Sequence, residues 1–165
     1  MTSNGTAIAG VVFGALIAFF VYQWWFNPTR AVQRRLNEIA AALSVPEDEP
    51  SVARVTRIAQ LRKFLADDVR IRAGEGELAS RDAVVGVVAA FTPPPGGWNV
   101  QFVDVQIKVD GSGEAASVRM AVEVNARDPR TGQPTVDARE AIVTMKKQNA
   151  GWVVATAEAK DTVPR

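Results

Sequence analysis

Four carboxylates in the second half of the chain, Asp104, Glu123, Asp137 and Glu140, are the side chains best suited by type to acid or base chemistry. The sequence offers no histidine and no cysteine. Each of the four alternates with apolar residues along a strand-like run, which places it on the solvent face of a sheet. Only the Arg139-Glu140 pair, beside a break in that alternation, offers a charge that turns inward, where burial would shift its pKa. A solvated surface role outweighs catalysis for all of them. Without cysteine there is no disulfide, no thiolate nucleophile and no Cys-ligated zinc. Without histidine the commonest general base and metal ligand are gone. No catalytic, cofactor or metal site is therefore expected. Trp98 and Trp152 read as core or sheet-end packing ahead of ligand stacking.

The elements that hold these residues fall into two unlike parts. All 19 Lys and Arg and all 18 Asp and Glu of the 165 residues lie after Phe26, and the net charge is +1. A balance so even lacks the dense cationic face that displaces counterions from phosphates, so nucleic acid is not expected as a partner. From Ala7 to Phe26 the only polar residues are Tyr22 and Gln23. Twenty residues at about 1.5 Å each span roughly 30 Å, the thickness of a bilayer's hydrocarbon core. The spacing predicts a permanent transmembrane anchor over 1–27, ahead of a single domain over 28–165. A cleaved leader is disfavoured, because no basic segment precedes the apolar run and no small-x-small site follows it.

Tyr22, Trp24, Trp25 and Phe26 form the expected interfacial belt, with Arg30, Arg34 and Arg35 as the basic flank. The basic flank predicts an inner (plasma) membrane protein of single-pass topology with its domain in the cytoplasm; a periplasmic domain stays open. Thr6, Gly10, Gly14 and Ala18 recur every fourth residue, so they share one side of the helix. Small residues there let a second helix approach closely, which predicts other membrane subunits as partners alongside membrane lipid.

Asn27-Pro28 is a helix start, with Asn as cap and Pro at the first position. Val32, Leu36, Ile39 and Leu43 then form an apolar stripe. The acidic turn VPEDEP leads to a second helix with Val55, Ile58, Leu61 and Phe64/Leu65 on one face. Its Arg54, Arg57, Arg62 and Lys63 are read as a solvated face ahead of a lipid contact. A short strand at Val69–Arg72 follows. A third helix is capped by Ser80 and is apolar nearly all round, so it is expected to be buried. Four strands close the chain. In the first, the apolar phase slips from Trp98, Val100 and Phe102 to Val103, Val105, Ile107 and Val109, which requires a β-bulge near Phe102. The strand from Val136 to Lys146 slips in the same way.

The pair of helices ending in RKFLADDVRIRAG, the helix SRDAVVGVVAAF and the closing hairpin REAIVTMKKQNAGWVVATAEA resemble the nuclear transport factor 2-like superfamily, which includes ketosteroid-isomerase-type and SnoaL-type domains. The resemblance covers residues 30–162 and implies an α+β cone: three helices packed on a bent antiparallel sheet, often enclosing a pocket. It also carries the enzymes' requirements. The isomerase type uses an aspartate base with a tyrosine and a protonated acid as oxyanion donors, and Tyr22, the only tyrosine, lies in the apolar span. SnoaL-type cyclases rely on Asp and His, and His is missing. Membrane-tethered members of the superfamily, the type IV secretion inner-membrane scaffold and the mitochondrial import motor's docking protein, work through protein contacts.

The leading expectation is thus a non-enzymatic accessory or scaffold subunit docked into a secretion, respiratory or photosynthetic membrane complex. The alternative is a tethered pocket domain binding a lipid or other apolar molecule in the cone. A degenerate isomerase or hydrolase ranks third.

Overall fold

The computed structural model describes residues 12–22, 27–149 and 151–160. A first helix, α1, covers 12–22 and exposes every side chain along it. Among the described residues no helix is long and apolar enough to cross a membrane. Thr6, Gly10, Trp24, Trp25 and Phe26 lie outside the described residues.

The domain begins where the capping signal stands. The Asn27 side chain accepts a hydrogen bond from Thr29 N at 3.0 Å, and Pro28 opens α2, Pro28–Leu43. Val32, Leu36 and Ile39 are buried on its inner face, and each such side chain contributes about 1.5–3 kcal/mol by leaving water. α3 covers Ser51–Lys63 and leads into β1, Leu65–Ala73, which turns back into a short β2, Gly76–Leu78. α4, Arg81–Ala90, starts on the Ser80 side chain, which accepts from Ala83 N at 3.1 Å. The strands β3 (Trp98–Val109), β4 (Ala115–Arg127), β5 (Pro134–Gln148) and β6 (Gly151–Lys160) complete the fold.

The six strands form one sheet in the order β2-β1-β6-β5-β4-β3. It is mixed rather than purely antiparallel, because β1 runs parallel to β6. The helices pack on one face over a core that includes Val69, Val118, Met145, Trp152 and Val154.

The expected bulge in β3 is present, two residues further along. Pairing with β4 shifts between Val103 and Gln106, and Asp104 stands there at a φ of 52°. The extra residue moves the inward set from Val100 and Phe102 to Ile107 and Val109, so both apolar phases face the core. The β5 slip has another origin. Pairing of β5 with β4 is unbroken from Ala115↔Lys146 to Arg127↔Pro134. Val136 and Ala138 are simply exposed, Val136 by 61 %. The hairpin runs past the packed layer there, and neither of its faces needs to be apolar.

Two helical expectations are corrected. α4 is not buried: only Val84 is, while Val87 stays 51 % exposed. On α3 only Leu61 is buried, and Val52 and Val55 face outward. A uniformly apolar helix need not be enclosed: α4 turns Val84 to the core and leaves Val87 on the side away from it open.

Candidate functional site

The candidate site is an apolar cavity of about 350 Å³ between the helices and the concave face of the sheet. Every element from α2 to β6 contributes to it. Leu36, Ile39 and Leu43 come from α2, Leu61 from α3, and Val84, Val87 and Val88 from α4. Ile71 and Leu78 close the β1–β2 side, and Phe102, Met120, Val122, Ala141, Val143, Val154 and Ala157 form the sheet wall. The volume lies near the lower end of the roughly 300–1,000 Å³ typical of small-molecule sites.

Two charged residues, Arg72 and Glu158, border this space. They are paired neighbours across β1 and β6, next to Ile71 and Ala157. Alternation along a strand therefore sends their side chains to the outer face. Arg72 Nε there donates to Glu77 Oε2 at 2.9 Å, and this partner holds the Glu77 carboxyl below the ordinary carboxylate range. Every described residue that lines the cavity, other than Arg72 and Glu158, is apolar. The cavity thus has nothing to abstract a proton, stabilise an oxyanion or orient a hydroxyl. What it can do is shield hydrocarbon from water, at about 0.8 kcal/mol per buried methylene.

None of the four sequence-selected carboxylates reaches it. Asp104 is exposed at the bulge. Glu123 is half-buried on the outer sheet face, paired with Gln101 and Ala138. Asp137 is exposed and accepts from Arg139 Nε at 3.2 Å, and Glu140 is exposed opposite Ala121. The two tryptophans are structural. Trp98 Nε1 donates to Leu43 O at 2.6 Å, and its backbone exchanges two 2.9 Å hydrogen bonds with Val45. Trp152 is buried in the core.

The remaining candidates sit on α1 and α2. Gly14, Ala18 and Tyr22 share one side of α1, exposed. Arg30 and Arg34 are exposed near the start of α2, whereas Arg35 pairs with Glu38 at 2.9 Å and lies 5.1 Å over the Phe64 ring. The basic residues of α3 are largely engaged. Arg57 is paired with Glu49, Arg62 with Asp82, and Arg54 donates to the carbonyls of Ala89 and Phe91. Sequence reasoning missed Leu78, because a three-residue strand is too short to show alternation. The Gly74-Glu-Gly76 turn between Ile71 and Leu78 was the available hairpin signal.

No family model and no curated protein matches the sequence. Solved structures do match. A candidate scytalone dehydratase from Novosphingobium aromaticivorans superposes with a TM-score of 0.61 at 17% identity, covering 82% of this chain and 88% of its own. An NTF2-like protein with a cystatin-like fold, from the same organism, gives a TM-score of 0.56 at 15% identity, over 77% of this chain and 79% of that one. The domain has the nuclear transport factor 2-like fold. A protein of unknown function from Mycobacterium tuberculosis shares that fold at a TM-score of 0.63 and 13% identity, over 81% and 76% of the two chains. At these identities the likeness extends to the fold alone, and the chemistry of an NTF2-like domain is decided by its pocket.

Proposed function

We propose that this chain is a non-enzymatic, membrane-tethered binding protein whose NTF2-like domain holds the apolar part of a lipid-like molecule in its cone cavity. The observation that carries this reading is the cavity wall, built from aliphatic side chains and Phe102 with no inward polar group. A molecule seated there keeps any polar end at the opening, since an unpartnered hydroxyl or carboxylate inside would lose its water without compensation. The tether is the apolar segment 7–26, followed without a linker by α2, which sets the domain at the surface of an inner (plasma) membrane, on its cytoplasmic side by the basic flank.

The test is photo-crosslinking of the full chain, in lipid nanodiscs, to a fatty acid bearing a diazirine on its acyl chain. Adducts are expected on Phe102, Met120 and Val143, and Ala157→Leu, which fills the cavity, should lower them at least fivefold. Adducts confined to surface positions would refute the reading.

A second reading is supported by α1. Gly14 and Ala18 stand four residues apart on one exposed side, and no described atom lies within 4 Å of where a Gly14 Cβ would stand. That flat strip suits close approach of another helix in a membrane complex, the scaffold role. Loss of a stoichiometric partner on Gly14→Leu, with the cavity adducts unchanged, would establish it beside the first reading.

A further inference from the structure

The two helices that the sheet leaves uncovered lie next to the cavity and carry one chemical character. α3 and α4 run antiparallel. Arg62, near the end of α3, pairs with Asp82 at the start of α4, while Arg54, near the start of α3, bonds to Ala89 and Phe91 at the end of α4. Their outward residues Val52, Val55, Val87 and Phe91 are 76, 67, 51 and 52 % exposed. No other described part of the domain exposes large apolar side chains together; the remaining one is Val136. Val87 belongs both to this face and to the cavity wall, so the face and the cavity interior are continuous at α4. Of the five basic side chains on these two helices, Arg57, Arg62 and Arg81 are paired with Glu49, Asp82 and Asp67, which leaves Arg54 and Lys63 as the basic surplus. Apolar residues beside a basic surplus match a negatively charged lipid surface, where hydrocarbon accepts the valines and headgroup phosphates accept the cations.

We propose that the α3–α4 face docks on an anionic bilayer leaflet, so that the cavity opens at α4 toward the lipid from which its ligand is drawn. A protein partner would suit the valines, but it would have to supply carboxylates to meet Arg54 and Lys63. An anionic leaflet offers both kinds of contact over any area. The anchor supplies proximity: α2 starts at Pro28, directly after the apolar run, and its 16 residues reach about 24 Å. This inference rests on the cavity reading only for what enters the domain, and the two fail separately.

The chain has no cysteine, so single nitroxide labels can be placed at Val55→Cys, Val87→Cys and, as reference on the outer sheet face, Lys108→Cys. The labelled full chain goes into nanodiscs of phosphatidylcholine with and without phosphatidylglycerol. Collision of each label with oxygen, which concentrates in lipid, is compared with collision with a water-soluble nickel complex. Expected with phosphatidylglycerol is a several-fold rise of the oxygen-to-nickel ratio at Val55 and Val87, reversed by high salt, with Lys108 unchanged. Free access of the nickel complex to both labels would overturn the proposal, because the face would then be in water. Low access of both reagents would also overturn it, showing protein cover by a second copy or by the chain's own N-terminal segment.

A second arm uses Val52→Asp with Val55→Asp, both on the exposed face and neither in the cavity wall. Transfer of the diazirine lipid from the bilayer into the cavity should fall at least fivefold, while uptake of the same fatty acid from free solution stays unchanged. Equal transfer with and without the aspartates would sink the docking proposal alone. Absence of cavity adducts by either route in the unsubstituted chain would sink the cavity reading and leave the labelling result to stand by itself.

Discussion

Glu49 and Arg57 form a two-point ion pair beneath the loop joining α2 to α3, with Arg57 Nε 2.6 Å from Glu49 Oε1 and Nη2 3.1 Å from Oε2. The side chains are 7 and 13 % exposed, and Arg57 Nη1 also reaches Ala42 O at 3.2 Å, tying down the last turn of α2. The helical lid of the cavity is thus fastened at its outer side by one charge pair.

That pair predicts a pH dependence. Its hydrogen bond from Arg57 holds the Glu49 carboxyl below its ordinary value near 4.5. A carboxyl depressed in the folded state contributes stability above its unfolded pKa and loses it as pH falls through the folded one. Asp68, Glu77 and Asp110 are lowered by partners too, so the whole acid limb is not Glu49's alone. The difference between the parent and Glu49→Gln isolates it. The variant should be less stable at pH 7 by roughly 3 kcal/mol, and the gap should narrow below about pH 4.5. Urea unfolding followed by circular dichroism at several pH values reads both.

A second fastening lies where α2 meets β3. Gly97 has a φ of 66°, and a Cβ there would run into the Val45 carbonyl oxygen and stand 2.8 Å from the Pro46 carbonyl carbon. Only glycine allows Val45 and Trp98 to exchange their backbone bonds. Gly97→Ala should cost at least about 2 kcal/mol, seen as a lower urea midpoint at unchanged slope, whereas Gly111→Ala, in open space, should change little.

Asp104 separates a structural from a catalytic carboxylate. Its φ of 52° marks the bulge residue, a conformation that Asn and Asp tolerate and branched residues do not. Asp104→Asn should leave stability within about 0.5 kcal/mol, and Asp104→Val should cost about 1–2 kcal/mol. Deleting the residue would send Trp98, Val100 and Phe102 to the outer face, and the chain should fail to fold cooperatively. Thermal unfolding of the three variants checks the order.

These particulars show what the sequence could convey. The β3 bulge was readable because a period of two cannot change phase without an added residue, and the caps at Asn27 and Ser80 were readable because their hydrogen bonds are local. The exposure of α4 was not, since an apolar helix reads alike whether its outer side meets a sheet, a membrane or a partner. The parallel pairing of β1 with β6 joins segments about 90 residues apart and leaves no local trace. The cavity was expected only from the resemblance. Each residue that lines it, Leu36 or Val143 for example, looks by itself like ordinary core. The faces of the four carboxylates were legible only in part: Glu123 and Glu140 take the outer face, whereas Asp137 pairs with Val124 on the inner side beyond the packed layer and Asp104 stands at the bulge, where alternation breaks.

The cavity makes stability and binding move in opposite directions. Filling it with hydrocarbon should stabilise the empty fold, since new methylenes gain burial at about 0.8 kcal/mol each without displacing an ordered polar group. Ala157 lies on the cavity wall and is only half-buried, so Ala157→Leu has space to enter. The expected gain is about 1–2 kcal/mol in unfolding free energy, together with loss of the fatty-acid adducts. Leu36→Ala enlarges the same space and should cost about 2–5 kcal/mol. Added fatty acid should raise the melting temperature of Leu36→Ala and of the parent while leaving Ala157→Leu unmoved, because only a ligand that binds the folded state shifts its unfolding. A melting temperature that rises equally in all three would place the fatty acid somewhere other than the cone.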